Sequence, residues 1–529
     1  MSPEYRALAE LYTTGIGITV LGAGAAFYWS RSEGARSFVE RHVSVLAIVV
    51  GTFYLGSMLW MGWGKAAALN HYADRATHLE ILMRSVRGLG LTSPMSASFF
   101  TGSHWFAAHF TPIIYLAYWP FFRLVPVPYT LHVLQTLYLM SAAVPIGLFA
   151  ARRLGTSAGW LFAASFLLYP TVQYINLYGT AYLDLSIPIL AWALYALEEN
   201  RTVVFLVAAA LAMATREEAG LVVAALGLYA FVRGRRRLGT VVAIAGLLWF
   251  VVAIRIIIPA FRTNDALVYL RNYQEWGDTP AEIVRFVVLH PFATMRRLFS
   301  VMRVANTIMY LLPLAFLPLL DPLGLLVCVP NVLTTFMSGS VTNYSFNLYY
   351  LSPTVPVLFV SAVRGAARLR EYCGLDSAVP IATAVLAAAL GANYFFGPSP
   401  ISRQFWNQDY KIGVFHTTSY YRAQYVPTEA SDAARRIVAL VPDYAQVSAE
   451  QHLLPLLYDR KRILVFPTLD SGIDYVVIDR GKREKAGWAA TYEDFRIRPE
   501  YYYALVEQDK SWEVVAQDHG AKLFRKRVR

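Results

Sequence analysis

The sequence has few charged residues and almost no cysteine. Only 16% of its 529 residues are charged and 56% are hydrophobic, whereas about 25% of the residues in a soluble domain are charged. The two cysteines, Cys328 and Cys373, lie in or beside apolar segments, so they indicate neither a disulfide framework nor a thiolate metal site. Together with a mean hydropathy of +0.41, this composition indicates a membrane protein.

Several common motifs are also missing. The sequence has no Walker loop, no GxSxG and no HExxH motif, no internal repeat and no cleavable signal peptide. The stretch "GAGAAF" (22–27) lies inside an apolar run, so it predicts close helix packing rather than nucleotide binding. The net charge of +12 is better explained by basic loops on one side of a membrane than by binding to nucleic acid.

Apolar runs predict a polytopic α-helical protein with about twelve transmembrane helices. A full span needs roughly 20 residues, and we interpret the shorter runs as packed spans. The runs are 13–29, 43–63, 129–150, 157–174, 182–197, 202–214, 217–232, 238–258, 304–320, 322–338, 349–363 and 379–396.

Basic loops fall at every second turn of this series, and the positive-inside rule makes their side cytoplasmic. They are "RSEGARSFVER" (31–41), "ARRLG" (151–155), "EENR" (198–201), "RGRRRLG" (233–239) and "RGAARLREYCG" (364–374). The N-terminus, 65–128, 259–303 and the chain after about 397 are then exoplasmic. We therefore expect a multi-pass protein of the inner (cytoplasmic) cell membrane.

The segment "HFTPIIYLAYWPFFRLVP" (109–126) is apolar enough to span, but counting it as a span would move "ARRLG" to the exoplasmic side. We interpret it as an interfacial or re-entrant helix within the first exoplasmic loop. The aromatic residues Trp105, Tyr115, Tyr118 and Trp119 suit the headgroup region.

The last part of the chain has a different pattern, which predicts two domains. Residues 1–397 form the transmembrane domain, and 398–529 form a small exoplasmic α/β domain. Within the second, 431–441 is predicted as a helix, and 445–450, 461–466 and 473–479 are predicted as short buried strands.

The first cluster of titratable groups is "NHYADRATHLEI" (70–81), directly after the second apolar run. On a helix, His71, Asp74 and His78 share one face at the outer mouth of that span. Asp74 is a candidate general base, and the bland alternative is a solvated juxtamembrane helix. The three residues could also hold a divalent metal ion, because histidine and carboxylate suit several such ions.

Asp184, in "NLYGTAYLDLSIPIL" (176–190), begins a later span on the outer side. It either caps the helix and its dipole or supplies a second catalytic acid facing the cavity of Asp74. The neighbouring Tyr182 is a candidate substrate contact, as is His78 on the first helix.

The turn "ATREEAG" (214–220) places Arg216, Glu217 and Glu218 between two apolar runs. It is either a solvated turn or an anion site in which Arg216 holds a phosphate and Glu217 orients it or contacts substrate.

The 259–303 loop is basic and aromatic on the exoplasmic side. Arg262, Arg271 and Arg303 are candidates to bind a lipid phosphate, and headgroup anchoring is the alternative. We interpret His104 and His109 in "SHWFAAHF" (103–110) as structural residues in the first place, although His109 is also a candidate substrate contact.

These features together resemble a known superfamily. An acid follows an early span, an apolar "HFTPIIYL" helix closes the loop, and a second acid begins a later span. This order resembles the GT-C membrane glycosyltransferases, especially the aminoarabinose and protein-mannosyl transferase branch. More closely, the chain resembles the membrane family DUF2079. The matching stretches begin at "HFTPIIYLAYWPFF", "LLYPTVQYINLYG", "TREEAGLVV" and "AARRIVALVPDYAQVSAEQHLLPLLYDRKRILVFP", and together they cover most of 70–480.

The resemblance implies a GT-C-like fold and transfer of a sugar from a polyprenyl-phosphate donor to an exoplasmic lipid, glycan or protein. Asp74 would be the base, Arg216 would steady the phosphate, and Asp184 would orient the acceptor or a metal ion. Two other classes stay open: a transporter or flippase of lipid-linked substrates, and a scaffold that keeps the fold without the activity.

Overall fold

The computed structural model describes residues 3–70, 73–95, 102–263, 268–410, 420–482 and 499–527. Its architecture is a large helical bundle followed by a small mixed domain. The helices of eight or more residues are α1 Pro3–Trp29, α2 Glu33–Ala67, α3 Ala73–Val86, α4 Pro128–Ser141, α5 Ala143–Leu154, α6 Thr156–Leu167, α7 Pro170–Tyr178, α8 Ser186–Glu198, α9 Thr202–Met213, α10 Ala219–Val232, α11 Arg236–Val252, α12 Pro280–Leu289, α13 Pro291–Leu298, α14 Val301–Leu311, α15 Val329–Phe336, α16 Thr354–Tyr372, α17 Val379–Phe396, α18 Glu429–Val438 and α19 Pro499–Gln508.

Shorter helical turns connect these helices. They include Trp105–Ala107, Ile114–Ala117, Trp119–Leu124, Leu183–Leu185, Ala253–Ile257, Ile258–Ala260, Val268–Tyr273, Leu312–Leu314, Leu317–Leu320, Pro322–Leu325, Leu326–Cys328, Val341–Tyr344, Arg403–Trp406, Arg422–Tyr425, Leu454–Leu456 and Arg480–Lys482. The strands are β1 Gln446–Ala449, β2 Arg462–Val465, β3 Tyr475–Asp479, β4 Trp512–Asp518 and β5 Ala521–Lys526.

Among the described residues, four helical segments are long and apolar enough to cross a bilayer by length and composition: Glu33–Ala67, Pro128–Leu154, Arg236–Ala260 and Val379–Phe396. Each coincides with one of the twelve predicted spans. Others are shorter, such as the 12-residue helices Thr156–Leu167 and Thr202–Met213. At 1.5 Å per residue, such helices reach only part of the way across a hydrocarbon core of about 30 Å. The number of twelve spans therefore stays a prediction.

The segment 109–126 forms two short helices, Ile114–Ala117 and Trp119–Leu124, rather than one long span. Pro120 lies at the start of the second helix, where the missing amide N–H is tolerated. Two helices of four and six residues are far too short to cross the membrane. The segment is therefore not a single span, and its interfacial or re-entrant position stays a prediction.

Ion pairs gather several of the basic loops at one end of the bundle. Glu198, at the end of α8, pairs with Arg153, Arg233 and Arg364 at 2.8, 3.9 and 2.6 Å. Arg364 also contacts Asp321 at 3.1 Å. The basic loops at 151–155, 198–201, 233–239 and 364–374 therefore share one end, as their alternation predicts. Which side of the membrane this end faces stays a prediction.

Glycines let α10 and α11 pack backbone to backbone. A Cβ atom added at Gly227 would overlap the backbone of Ala243 and Gly239, and one at Gly246 would overlap that of Gly220 and Ala224. Close approach through small residues is a common way for membrane helices to associate.

For "GAGAAF", the prediction of close packing is wrong for the glycines. A Cβ at Gly22 or Gly24 meets no atom within 4 Å, whereas Ala23 packs in a cluster with Ala384 and Ala388 of α17, and Phe27 packs against that cluster.

The C-terminal domain is a five-stranded sheet in the order β2-β1-β3-β5-β4. Strands β2, β1 and β3 are parallel, and β5 is antiparallel to β3 and β4. The three predicted strands and the predicted helix are all present, with slightly different ends. Helix α19 and the β4–β5 hairpin are additional to the predicted elements. His519 and Gly520 form the turn of the hairpin, and both have positive φ angles, as a two-residue hairpin turn requires.

The C-terminal domain packs directly on the first loop of the bundle. Leu69 and Ala76 belong to the same apolar cluster as residues from α18, β1 and Leu453–Leu457. Arg87, directly after α3, donates to the Asp459 carbonyl at 2.7 Å, and the Tyr458 hydroxyl donates to the Pro126 carbonyl at 2.7 Å. Helix α3 therefore lies between the bundle and the sheet.

Glu80 is a buried acid in this contact. Its side chain, 1% exposed, accepts a hydrogen bond from Ser93. Burial raises the pKa of Glu80 from 4.5 to about 7, and the Ser93 bond and the charge of Arg84 only partly oppose this. The folded protein thus binds a proton at Glu80 more tightly than the unfolded chain does.

Replacing Gly227 by alanine should destabilise the bundle by about 1–3 kcal/mol, because the new methyl group has no room between two backbones. Thermal unfolding in detergent measures the effect. Gly22→Ala is the matched control, since its methyl group meets open space and should cause no loss. Equal melting temperatures of the two variants would contradict the close packing of α10 on α11.

Stability should depend on pH through Glu80. The pKa of Glu80 is higher in the folded protein than in the unfolded chain. Its contribution to the free energy of unfolding is therefore greatest below about pH 4.5 and is lost as pH rises through about 7. The free energy of unfolding should change by about 3 kcal/mol over this range. Glu80→Gln should therefore be more stable than the wild type at pH 8 and lose that advantage at pH 5. Melting curves at both pH values test this, and parallel pH dependence in the two proteins would refute it.

Candidate active site

Asp74 lies in the first turn of α3, at the end of the bundle opposite the Glu198 ion pairs. Its Oδ2 accepts a hydrogen bond from the Tyr178 hydroxyl at 2.5 Å. The side chain is exposed to solvent, although protein surrounds it densely enough that desolvation raises its pKa. Exposure inside a dense surrounding is the environment of a carboxylate that lines a concave site.

Aromatic rings connect Asp74 with Arg216. The ring of Tyr178 lies 5.1 Å from that of Tyr349, which stacks on Tyr350 at 4.3 Å. The Arg216 guanidinium lies over the Tyr350 ring, 5.9 Å from its centroid. The positive charge of Arg216 is also near enough to lower the pKa of Asp74, opposing the effect of burial. Asp74 and Arg216, which are 142 positions apart in the sequence, thus belong to one cluster.

Arg216 is held in a polar network with the first loop. Its Nε lies 2.9 Å from Glu218 Oε1 and 3.1 Å from His109 Nδ1, and that Nδ1 lies 2.8 Å from Glu217 Oε1. One nitrogen cannot both accept from Arg216 and donate to Glu217. We assign the Nε proton to the nearer carboxylate of Glu218, so that His109 donates to Glu217 through Nδ1.

Glu217 fixes the segment around His109. Its second oxygen accepts from the Phe110 main-chain N–H at 2.9 Å, so both oxygens are used. Burial and the charge of Arg216 hold the pKa of His109 well below 6.5, so the ring is neutral. With Nδ1 protonated, Nε2 is its basic nitrogen.

His78, one turn after Asp74, lies in an aromatic cluster beside this network. Its ring is 4.5 Å from that of Tyr182 and 5.0 Å from that of Trp105. Burial lowers the pKa of His78 to about 3. His78 Nδ1 and the Tyr182 hydroxyl are buried and lack a hydrogen-bond partner among the described residues. Tyr182 also has a φ of 60°, an unusual backbone conformation of a kind that concentrates at functional sites.

Asp184 is on the same end of the bundle but is enclosed. It is 1% exposed, and its oxygens accept from Gln135 Nε2 at 2.7 Å and from the Leu185 main-chain N–H at 3.1 Å. Gln135 also binds the carbonyl of Gly179, next to Tyr178. These contacts tie Asp184 to the neighbouring helix, but its side chain does not cap α8, whose N-cap residue is Leu185. The role of Asp184 as a second acid stays a prediction.

The four predicted phosphate-binding arginines occupy different places. Arg216 is in the cluster. Arg262 donates to the Ala107 carbonyl at 3.0 Å, and its positive charge helps to lower the pKa of His109. Arg271 is exposed on the short helix that contains Tyr273, and Tyr273 lies in the field of Arg216 and Glu218. Arg216 and Arg262 therefore lie at the cluster, and Arg271 lies on a segment next to it.

Arg303 does not fit the predicted role. It is buried, and its guanidinium donates to the carbonyls of Phe336, Arg297 and Ser338 at 2.6–3.0 Å and to Ser300 Oγ. A guanidinium whose N–H groups donate to three main-chain carbonyls has few donors left for a phosphate. Arg303 instead ties the start of α14 to the end of α15.

The predicted metal site can be judged only in part. His71 lies outside the described residues, and Asp74 and His78 face different partners. Within the part of the chain that the structure describes, no group of three histidine, cysteine or acidic side chains is arranged to hold a metal ion. The site formed by His71, Asp74 and His78 stays a prediction.

Sequence reasoning missed three tyrosines of the cluster: Tyr178, Tyr349 and Tyr350. Tyr178 and Tyr349 each follow an asparagine–leucine pair, in "NLYG" and "NLYY", and Tyr350 follows Tyr349. This repeated pattern is the one signal that could have drawn attention to them.

The structure has distant similarities to solved membrane proteins. It is 13% identical to ArnT from Cupriavidus metallidurans bound to undecaprenyl phosphate, with a TM-score of 0.48, covering 91% of this chain and 97% of that one. It is 15% identical to the apo form of the same protein, with a TM-score of 0.47, covering 93% of this chain and 98% of that one. It is 10% identical to the oligosaccharyltransferase AglB from Archaeoglobus fulgidus in complex with an inhibitory peptide and a dolichol-phosphate. The TM-score is 0.46, and the match covers 94% of this chain and 75% of that one. At such low scores these similarities establish neither fold nor function.

No curated protein matches the sequence. A family model described as "Predicted membrane protein (DUF2079)" matches residues 70–523, from the helix that carries Asp74 to the last strand of the C-terminal sheet. The chain therefore belongs to the DUF2079 family of membrane proteins.

Proposed function

We propose that this protein is a membrane glycosyltransferase with a GT-C-like fold. It moves a sugar from a polyprenyl-phosphate donor to an exoplasmic acceptor. The observation that carries the proposal is the clustering of Asp74, Arg216 and His109 at one end of a membrane-family bundle. A carboxylate open to solvent and a buried arginine are the two groups that such a transfer needs.

Asp74 is the general base of the proposed reaction. The acceptor hydroxyl gives its proton to Asp74 as its oxygen bonds to the anomeric carbon of the sugar. The bond from that carbon to the phosphate oxygen breaks, and the leaving polyprenyl phosphate keeps the electron pair. Desolvation raises the pKa of Asp74, which makes its carboxylate a stronger base than an exposed aspartate.

Arg216 stabilises the leaving phosphate. It is buried and held by Glu218 at 2.9 Å, so its position is set before the substrate arrives. Arg262 and Arg271 add positive charge from the neighbouring segment. His78, Tyr182, His109 and Glu217 line or support the pocket that receives the sugar and acceptor, and Asp184 supports its wall.

The transport alternative needs a polar pathway through the middle of the bundle. Several buried polar side chains of the bundle are instead bonded to one another: Thr136 to Asn176, Asn176 to Tyr54, and Gln173 to Asn393, at 2.7–3.0 Å. Satisfied pairs of this kind stabilise a closed core. They favour an enzyme with a site at one end over a transporter.

The orientation follows from the same proposal. The end with Asp74 faces the exoplasm of the inner membrane, as does the C-terminal α/β domain. That domain packs on α3 and is suited to cover the site or to select the acceptor.

Asp74→Asn should reduce sugar transfer by at least about a hundredfold in proteoliposomes, because general-base catalysis typically contributes that much. Labelled polyprenyl-phosphate sugar is the donor, and labelled product is counted. Asp443→Asn is the control, because this exposed carboxylate lies on the C-terminal domain and should leave transfer unchanged. Full activity of Asp74→Asn would remove Asp74 from the mechanism.

Tyr178→Phe should shift the acid side of the pH–rate profile to higher pH. The Tyr178 hydroxyl lowers the pKa of Asp74 by donating to its charged form, so its loss raises that pKa further. Activity at alkaline pH should be retained. A uniform loss at every pH, with no shift of the profile, would instead indicate a structural role for Tyr178.

A further inference from the structure

Helices α12 and α13 form a hairpin with an unusual surface. One face of it is apolar and points outward rather than into the protein, and Phe292, in the first turn of α13, is 91% exposed. The other exposed apolar residues of the hairpin are Val284, Val288, Leu289, Met295 and Phe299. Apolar surface of this extent on an ordered element marks an interaction site.

The hairpin is ordered by contacts at its base, so its apolar side chains are exposed on a folded element. Thr279 caps α12 by accepting from the Glu282 main-chain N–H at 3.3 Å. Arg297 of α13 stacks over the rings of Trp276 and Phe286, at 5.1 and 4.8 Å, and donates to the Glu275 carbonyl.

The base of the hairpin lies near Arg216, because the charges of Arg216 and Glu218 act on Tyr273 in the short helix that precedes the hairpin. The Tyr273 hydroxyl donates to the Thr334 carbonyl at 2.8 Å, and the Gly339 N–H donates to the Asn272 carbonyl at 2.7 Å. The hairpin follows the apolar segment Arg236–Ala260 and directly precedes α14, whose first residue, Val301, is also exposed. Its apolar surface thus continues that of membrane helices.

The charges of the hairpin complete the pattern. Arg285 and Arg296 are exposed beside the apolar residues, and Glu282 is used by the Asp278 main-chain N–H at 2.9 Å. A helix with an apolar face and flanking arginines lies in the membrane interface, with its apolar face among the acyl chains and its cations at the phosphates.

We propose that α12 and α13 are an interfacial membrane hairpin. Phe292 and its apolar neighbours lie in the outer part of the lipid, and Arg285 and Arg296 contact headgroup phosphates. The occupant of this surface is the bilayer itself rather than a second protein. This inference does not depend on the proposed transferase activity, although it would set the site beside the headgroups from which a lipid-linked substrate arrives.

Spin labelling in lipid nanodiscs tests the proposal. The background variant is Cys373→Ser, because Cys373 is exposed and Cys328 is buried. Single labels at Phe292→Cys, Val288→Cys and Arg285→Cys are compared by their collision rates with oxygen, which enters lipid, and with a nickel chelate, which stays in water. Leu21→Cys on the exposed face of α1 is the lipid reference, and Tyr444→Cys on the C-terminal domain is the water reference.

The labels at 292 and 288 should give an oxygen-to-nickel ratio several-fold above that of Tyr444→Cys and close to that of Leu21→Cys. The label at 285 should give an intermediate ratio. Ratios at 292 and 288 that match Tyr444→Cys would place the hairpin in water and overturn the proposal. Protection from both reagents would mean that protein covers the face, which overturns it equally.

Discussion

The polar groups at the ends of the apolar helices must satisfy one another, and this constraint organises the bundle. Glu198 and Asp321 are almost fully buried, and Arg364 joins both at 2.6 and 3.1 Å. Breaking a buried pair leaves an uncompensated charge, which is far more costly than losing a surface pair. Helices α8 and α16 are thereby tied at one end, and each runs from that end to the cluster around Asp74 and Arg216.

The opposite end satisfies its polar groups less completely, and this difference is functional in our proposal. Arg216 and Glu217 are buried and paired, yet Asp74 stays open to solvent, and two buried polar atoms of His78 and Tyr182 lack partners among the described residues. A closed end and a partly open end suit a protein whose chemistry takes place at one membrane surface. The hairpin that carries Phe292 lies beside the open end and extends its apolar edge.

The sequence predicted the elements better than it predicted their contacts. The alternation of basic loops correctly brought 151–155, 198–201, 233–239 and 364–374 together, and the strand pattern located β1, β2 and β3. Asp74, Arg216 and His109 were all selected from charges at the ends of apolar runs. Arg303 was selected by the same rule, but its partners are carbonyls that no local pattern reveals.

Composition, hydropathy and loop charge by themselves determined that this is a helical membrane protein with a small terminal α/β domain, because burial of apolar surface and the cost of charge in lipid act on local sequence. Only the tertiary structure decided which charged groups meet. Asp74, Tyr178, Arg216 and Tyr350 come from four separate segments, and their spacing in the chain carries no information about distance. The enclosure of Asp184 and the outward face of α12 and α13 were likewise set by packing, since the same side chains would fit a cavity, a core or a lipid surface until their neighbours are known.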